Sequence, residues 1–227
     1  MPRILIADDH PLFRTALAQQ VREVAADVVV DEASSLDGAQ AVLEAHPDTD
    51  LVLLDLHMPG SHGLMGLATL RAEHPTVAVL MVSAHEDPSV VRRALGYGAA
   101  GFLSKSVDAT QIQAALRAVL DCGEWVSPAL RDAVEAQPLG AADRELGARI
   151  AALTPQQFRV LRRVAEGRLN KQIADELGVQ ERTIKAHMTV IFEKLGVRNR
   201  TQAGIALRQL ELADPAQRPL DAPSQAS

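Results

Sequence analysis

Five side chains capable of chemistry lie where short apolar runs of the sequence end. Asp8 and Asp9 follow the first run, Asp55 closes LVLLD, Ser83 closes VAVLMVS, and Lys105 follows GFLS. A carboxylate in a buried strand is costly unless it is paired, metal-bound or chemically employed. Converging carboxylates must take up protons or bind a cation, and oxygen ligands without a His/Cys cluster favour Mg²⁺. A carboxylate nucleophile, a metal, a hydroxyl and an ammonium together predict a phosphoryl-transfer site with Asp55 as the acceptor.

The elements that must position these side chains are predicted to be five strands alternating with helices. The segments between the apolar runs carry apolar residues at helical spacing, as in Ile112–Leu120. This alternation predicts a parallel sheet covered on both faces. The carboxyl ends of such strands share one edge, where ligands bind near a topological switch point. The predicted strands are Arg3–Ala7, Val28–Val30, Leu51–Leu54, Val77–Val82 and Gly101–Ser104.

The C-terminal part of the chain carries a second pattern that consists only of helices. Thr154, Pro155 and Gln157 are typical of a helix start, with a Thr cap and a Gln three residues later. A short helix that ends at Gly178 and the helix that follows it predict a helix-turn-helix unit within a four-helix domain. The predicted boundaries are 1–121 for the α/β domain, 122–152 for an interdomain linker with at most a short helix, 153–211 for the all-α domain and 212–227 for a tail expected to be disordered.

Charge is distributed unequally between these parts. The chain of 227 residues has a net charge of −6, but residues 1–152 carry −10, while residues 153–211 carry 11 Lys/Arg against 6 Asp/Glu, or +5. The basic helical part is therefore a candidate for binding nucleic acid. The single cysteine, Cys122, excludes an intramolecular disulfide. No apolar run is long enough to span a membrane and no signal-peptide pattern is seen, so we expect a cytoplasmic protein.

The N-terminal half resembles the receiver domain of two-component response regulators. The motifs that carry the resemblance are IADDH, LLDLHMPG, MVSAHE and GFLSK, in this order over about 120 residues. The resemblance implies a doubly wound (βα)5 flavodoxin-like fold and Asp55 as the phosphoacceptor. It also implies a Mg²⁺ ion bound by Asp9 and Asp55 directly, by Asp8 mainly through water and by the backbone carbonyl of His57.

The same resemblance assigns the residues that respond to phosphorylation. Ser83 supplies the hydroxyl that moves toward the phosphoryl group, and Lys105 is the ion partner of the phosphoryl group. Phe102 is the aromatic switch residue, which repacks when Ser83 moves. The chain has Ser after Lys105, where this family often has Pro, so no cis peptide is expected. His57 and His85 each lie two residues beyond a site residue, and we hypothesise that this pair sets the lifetime of the acyl phosphate.

The C-terminal half resembles the LuxR-type helix-turn-helix domain of the NarL/FixJ family. The matching stretches are LTPQQFRVLRRVAEG, NKQIADELGV and RTIKAHMTVIFEKLGVRNRTQA. With Ile184 and Met188 turned inward, an outer face is left that can lie in a major groove. That face contains Arg182, Lys185, Ala186 and Thr189, of which the last three are expected to contact bases. By family position, phosphate contacts are expected from Asn170, Lys171, Thr183, His187, Lys194 and Arg200.

Departures from the family pattern also occur in this half. Gln180 lies where a better helix-capping Ser is often found. Leu169 replaces a residue that is commonly small or polar, and Thr189 replaces one that is frequently basic, which leaves the base preference open.

The leading interpretation is a phosphorylation-controlled transcription regulator. A histidine kinase would phosphorylate Asp55, and the change would release the DNA-binding domain or favour homodimers on promoter DNA. A phosphatase with an aspartyl-phosphate intermediate is an alternative, but such enzymes usually carry Asp two residues after the nucleophile, where this chain has His57. A regulator that works without phosphorylation is disfavoured by the intact set of site residues. A phosphotransfer module without a DNA role is disfavoured by the basic helical domain.

Overall fold

A computed structural model describes residues 1–211 of the chain, so the expected disorder of 212–227 lies outside the described residues. Parallel strands form the sheet of the N-terminal part, namely β1 (Arg3–Ala7), β2 (Val29–Ala33), β3 (Leu51–Asp55), β6 (Ala78–Ser83), β7 (Gly101–Ser104) and β8 (Trp125–Val126). A small antiparallel hairpin of β4 (His57–Met58) and β5 (Ser61–His62) follows β3. The strand order β2-β1-β3-β6-β7-β8 confirms the doubly wound α/β prediction.

Both faces of the sheet are buried, which explains the uninterrupted apolar runs. In β3, Leu51 and Leu53 belong to one apolar cluster, whereas Val52 and Leu54 belong to the other, because successive side chains point to opposite faces. One face packs against α1 (Pro11–Val24) and α5 (Ala109–Leu120). The other face packs against α2 (Leu36–Ala45), α3 (Met65–Glu73) and α4 (Pro88–Gly96).

The segment predicted as a linker contains more structure than the sequence indicated. Trp125 and Val126 add a sixth strand to the five predicted ones. Two helices follow, α6 (Pro128–Ala136) and α7 (Ala141–Ala151), where at most a short helix was expected. Pro128 occupies the first turn of α6 and Gly140 is the N-cap of α7, so a Pro and a Gly, which disfavour helix interiors, mark helix starts here.

Four helices build the C-terminal part as predicted: α8 (Pro155–Ala165), α9 (Asn170–Glu176), α10 (Glu181–Leu195) and α11 (Arg200–Arg208). The predicted capping box begins α8, because Gln157 N donates to Thr154 Oγ1 at 3.3 Å and Thr154 N donates to Gln157 Oε1 at 3.1 Å. Gly178, between α9 and α10, has a φ of 65°, a left-handed conformation that glycine adopts without strain.

The two parts are packed together rather than merely tethered. The apolar cluster beneath α2, α3 and α4 continues through Leu146 of α7 into the helical core around Phe158. At the seam, Leu64 N donates to Leu210 O at 2.9 Å. Among the described residues, no helix is long and apolar enough to cross a membrane.

Candidate functional site

The acidic site lies at the carboxyl edge of the sheet, where the strand order places β1 beside β3. Asp8 follows β1 and Asp55 ends β3, and both are buried. The ammonium of Lys105, just after β7, contacts both carboxylates: its Nζ is 2.6 Å from Asp8 Oδ2 and 3.1 Å from Asp55 Oδ2. The structure therefore brings together residues that are separated by up to about 100 positions in the sequence.

The environment of Asp55 makes its charged form costly. Burial raises the pKa of Asp55 from 3.8 to about 6, Lys105 acts in the opposite direction, and the carboxylate of Asp8 adds to the rise. The backbone N–H of His57 also hydrogen-bonds the carboxylate and lowers this pKa. Asp55 is consequently ionised at neutral pH but incompletely solvated, which is the state required of a carboxylate nucleophile.

A group of potential metal ligands surrounds Asp55. One ligand atom from each of Asp8, Asp9, His10 and Asp55 lies within 4.8 Å of the others. His10 Nδ1 lies 2.7 Å from Asp9 Oδ1 and 3.1 Å from Asp8 Oδ1. Three carboxylates fit a hard divalent cation of the Mg²⁺ type. His10 was not predicted as part of this group, although it directly follows Asp8 and Asp9 in the sequence.

Ser83 lies at the same edge of the sheet, and its hydroxyl accepts a hydrogen bond from the loop that directly follows it. Ser83 is buried at the end of β6, and its Oγ accepts a hydrogen bond from His85 N at 3.0 Å. Its carbonyl accepts from Lys105 N at 2.7 Å, which joins the ends of β6 and β7. The hydroxyl and the ammonium predicted from the sequence are thus held on adjacent strands.

The remaining predicted receiver residues, Phe102, His57 and His85, lie on or next to the strands that end at this edge. Phe102 is fully buried on β7 and belongs to the same apolar cluster as Val91 of α4. The rings of His57 and His85 form an edge-to-face pair with centroids 6.3 Å apart. All peptide bonds of residues 1–211 are trans, as expected for Ser106 after Lys105.

Two supporting residues of the site were not identified from the sequence. The ring of Phe13 lies 5.0 Å from Lys105 Nζ, a cation–π contact. Arg14 Nη1 donates to Asp8 O at 2.6 Å, which fixes the backbone at the acidic turn. Both lie on the first turn of α1, directly after the acidic motif, but no sequence pattern distinguishes them from ordinary helix residues.

The predicted outer face of α10 is accessible. Ile184, Met188, Ile191 and Leu195 are buried, as expected from helical spacing. The exposed residues of this helix include Arg182, Lys185, Ala186 and Thr189. Lys185 Nζ pairs with Glu181 Oε1 at 2.9 Å, an exposed contact that is easily broken. As the departure at Gln180 indicated, no side-chain cap is found at the start of α10.

The candidate phosphate-contacting residues are less uniform. Asn170, Lys171 and Arg200 line one surface groove with Lys185 and Thr189. Arg200 donates to Arg168 O and, at 3.2 Å, to Asn170 Oδ1, so it joins the starts of α9 and α11. Thr183 and His187 are half-buried on α10.

Lys194, which is predicted to contact phosphate, has an ammonium that also bonds to groups of the protein. Its Nζ donates to Ala152 O and to Gln157 Oε1, each at 2.8 Å, and thereby stabilises the start of α8. The family resemblance identified Lys194 as a candidate, but not the acceptors that other parts of the chain present to it.

Comparison with known proteins identifies the class to which this fold and site belong. The family model "Response regulator receiver domain" matches residues 4–117, and "Bacterial regulatory proteins, luxR family" matches residues 151–206. The chain therefore belongs to the two-component response regulators that combine a receiver domain with a LuxR-type DNA-binding domain. It is a transcription regulator.

Individual relatives span nearly the whole chain. The glycerol metabolism activator of Pseudomonas putida is 43% identical over 209 residues, which cover 89% of this chain and 93% of that protein. The nitrate/nitrite response regulator protein NarL of Escherichia coli K12 is 35% identical over 209 residues, covering 91% and 94%.

Solved structures show the same fold. The Salmonella typhimurium response regulator RcsB superposes with a TM-score of 0.54 at 22% identity, covering 92% of this chain and 98% of that chain. An RcsB–DNA complex gives a TM-score of 0.54 at 23% identity, covering 92% and 96%.

Proposed function

We propose that Asp55 accepts a phosphoryl group from a phosphohistidine of a cognate histidine kinase. The observation that carries the proposal is the buried Asp55 carboxylate, with its pKa of about 6, beside the Lys105 ammonium and the carboxylates of Asp8 and Asp9. In the step, an Asp55 oxygen forms a bond to phosphorus while the phosphorus–nitrogen bond breaks, and the imidazole leaves and takes up a proton. Lys105, already 3.1 Å from Asp55, can follow the charge onto the phosphoryl oxygens.

A Mg²⁺ ion fits the donor set of this site. Asp9 and Asp55 would bind it directly, Asp8 through water and His57 through its backbone carbonyl. The ion would neutralise charge on the phosphoryl oxygens during transfer. Lys105 lies between Asp8 and Asp55, so this chain already places one positive charge where phosphoryl charge would accumulate.

Phosphorylation would change the output domain through α4. The loop between Ser83 and α4 is short, Arg93 lies near the other end of α4, and Tyr97 directly follows the helix. Arg93 Nε lies 3.0 Å from Asp143 Oδ1 of α7, Arg93 Nη2 donates to Gln209 O at 2.7 Å, and Tyr97 Oη is 3.1 Å from Asp143 Oδ1. A shift of Ser83 and Phe102 would reposition α4 and weaken these contacts. The equilibrium would then move toward a released form, in which the DNA-binding domain is no longer held against the receiver.

The released form would bind promoter DNA as a homodimer. Lys185, Ala186 and Thr189 would contact bases, with Arg182 beside them, because these side chains are exposed on one helix face. Phosphate contacts are proposed for Asn170, Lys171, Thr183, His187, Lys194 and Arg200. Two helix-turn-helix units suit half-sites about one DNA turn apart. Promoter DNA as the partner implies a cytoplasmic site of action.

In this proposal the functional units keep the boundaries expected from the sequence. Residues 1–121 receive the phosphoryl group and residues 153–211 bind DNA. Residues 122–152 join them through α6 and α7, and α7 supplies Asp143 to the contact with α4.

The test combines intact mass with DNA binding. Wild type, Asp55→Ala and Asp132→Ala, which removes an exposed carboxylate of α6, are incubated with Mg²⁺ and a small acyl phosphate and then mixed with random duplexes. Wild type and Asp132→Ala should gain one phosphoryl group and bind two-fold sites more tightly, and Asp55→Ala should do neither. Modification without a change in DNA affinity would disprove the coupling, and an unmodified wild type would disprove the role of Asp55.

A further inference from the structure

A chain of hydrogen bonds joins the loops that follow β6 and β7, outside the acidic site. Ser106 Oγ donates to Glu86 Oε1 at 2.8 Å, and Ser106 Oγ lies 2.7 Å from Ser104 Oγ. Ser106 N also donates to Ser104 Oγ at 3.1 Å. We call Ser104, Ser106 and Glu86 the hydroxyl clasp.

The direction of these bonds follows from the chemistry of the groups. The Glu86 carboxylate only accepts when ionised, so the single hydroxyl proton of Ser106 goes to Glu86. Ser106 Oγ must then accept from Ser104. The hydroxyls of Ser104 and Ser106 lower the pKa of Glu86, with Ser106 making the direct hydrogen bond, so the carboxylate is ionised at neutral pH. Such charge-assisted bonds are stronger than neutral ones.

The hydroxyl clasp is continuous with the residues of the site. Lys105 lies between Ser104 and Ser106 in the sequence, and Glu86 lies three residues after Ser83. Ser83 and Ser104 are also partners in the register of β6 and β7. The clasp therefore fixes the loop of residues 84–87 against the loop that presents the ammonium of the site.

The same loop leads directly into the helix that contacts the DNA-binding domain. Asp87, next to Glu86, caps α4 by accepting from Ser89 N at 2.8 Å. Arg93, near the other end of α4, contacts Asp143 and Gln209. A displacement of Glu86 thus acts at the start of a rigid helix whose far end holds the output domain.

We propose that the hydroxyl clasp is a positioning device that holds the 84–87 loop and α4 in the resting arrangement. While the clasp is closed, the Ser83 hydroxyl remains engaged by His85 N. Opening the clasp frees the loop to carry Ser83 toward a phosphoryl group, so clasp variants should accept phosphoryl groups faster. The inference rests on the proposed role of Asp55 as the phosphoacceptor.

The first test uses unphosphorylated full-length protein and measures amide hydrogen exchange. Ser106→Ala and Glu86→Ala should each raise exchange in residues 84–97 by about fivefold, the factor that one hydrogen bond of ordinary net strength supplies. Ser106→Thr, which keeps the hydroxyl, should exchange at the wild-type rate in this segment. Thr110→Ala, an exposed hydroxyl loss on α5, is the matched control and should change nothing in this segment. Unchanged exchange in both alanine variants would overturn the proposal.

The second test measures the rate at which the same proteins gain mass from a small acyl phosphate with Mg²⁺. The two alanine variants should react several-fold faster than wild type, and the double variant no faster than either single one, because both changes open the same clasp. Equal or slower rates would overturn the positioning role while leaving the function of Asp55 intact. If wild type and the control gain no phosphoryl group, the proposed function itself fails, together with this inference.

Discussion

Replacing Asp55 by Asn should stabilise the receiver part of the protein at neutral pH. The folded environment favours the protonated carboxyl group, because burial raises the pKa of Asp55 from 3.8 to about 6. Each tenfold change in proton affinity is worth about 1.4 kcal/mol. Above pH 6 the ionised carboxylate therefore costs the folded state up to about 3 kcal/mol, and Asn avoids this cost.

The dependence on pH has a defined sign and window. Between pH 3.8 and about 6 the folded protein retains a proton on Asp55 that the unfolded chain has lost. Unfolding then releases a proton, so wild-type stability falls as pH rises through this window and is level above it. The Asn variant lacks this fall. Its advantage over wild type should be small near pH 4 and largest above pH 6.

Urea unfolding followed by tryptophan fluorescence measures this difference. Trp125, the only tryptophan of the chain, lies on edge strand β8 and reports unfolding of the sheet. With a urea dependence of about 1.5–2 kcal/mol per molar, a difference of about 3 kcal/mol moves the midpoint by about 1.5–2 M. Added Mg²⁺ should stabilise wild type and reduce the gap. A stability difference that is constant from pH 4 to 7 would show that burial of Asp55 does not raise its pKa. The control is Asp132→Asn, which changes an exposed carboxylate.

Four other substitutions test the contact between the two parts, the DNA-binding face and the histidine pair. Arg93→Ala removes the contacts to Asp143 and to the C-terminal helix, so unphosphorylated protein should show faster amide exchange at the seam and a DNA affinity raised severalfold in gel shifts. Lys185→Ala should cost about 1–3 kcal/mol in binding to the preferred site but little on unrelated DNA, as competition binding would show. His57→Ala and His85→Ala should each change the half-life of phosphorylated Asp55 measured by intact mass, and unchanged half-lives would remove the histidine pair from the mechanism.

The sheet could be predicted from the sequence because each central strand is buried on both faces. The run from Leu51 to Asp55 is apolar until its last residue, and the structure places both of its faces in apolar clusters. Strand β8 was missed because it has two residues, both only half-buried. Helices α6 and α7 were missed because their segment contains Pro128, Pro138 and Gly140, although Pro and Gly are both compatible with a helix start.

The acidic site was predictable for a different reason. Its residues follow strand ends, and parallel topology alone brings strand ends together. Phe13 reaches Lys105 from a helix, and Lys194 bonds to Gln157 of another helix. Such contacts between elements depend on how helices pack and leave no local pattern in the sequence. The link from Ser106 to Glu86 is hidden for the same reason.

The packing of the two parts determines which step phosphorylation can control. The DNA-binding part contacts the receiver through α8 and the end of α11, where Leu64 N donates to Leu210 O and Arg162 Nη1 donates to Gln40 Oε1 at 2.9 Å. Arg182 and Lys185 on the outer face of α10 are exposed in this packed state. The receiver therefore does not cover the proposed base-contacting face of α10. It holds the end of α11, so in the proposed mechanism the controlled step would be the freedom of the helix-turn-helix unit to orient and pair with a second copy on a two-fold site.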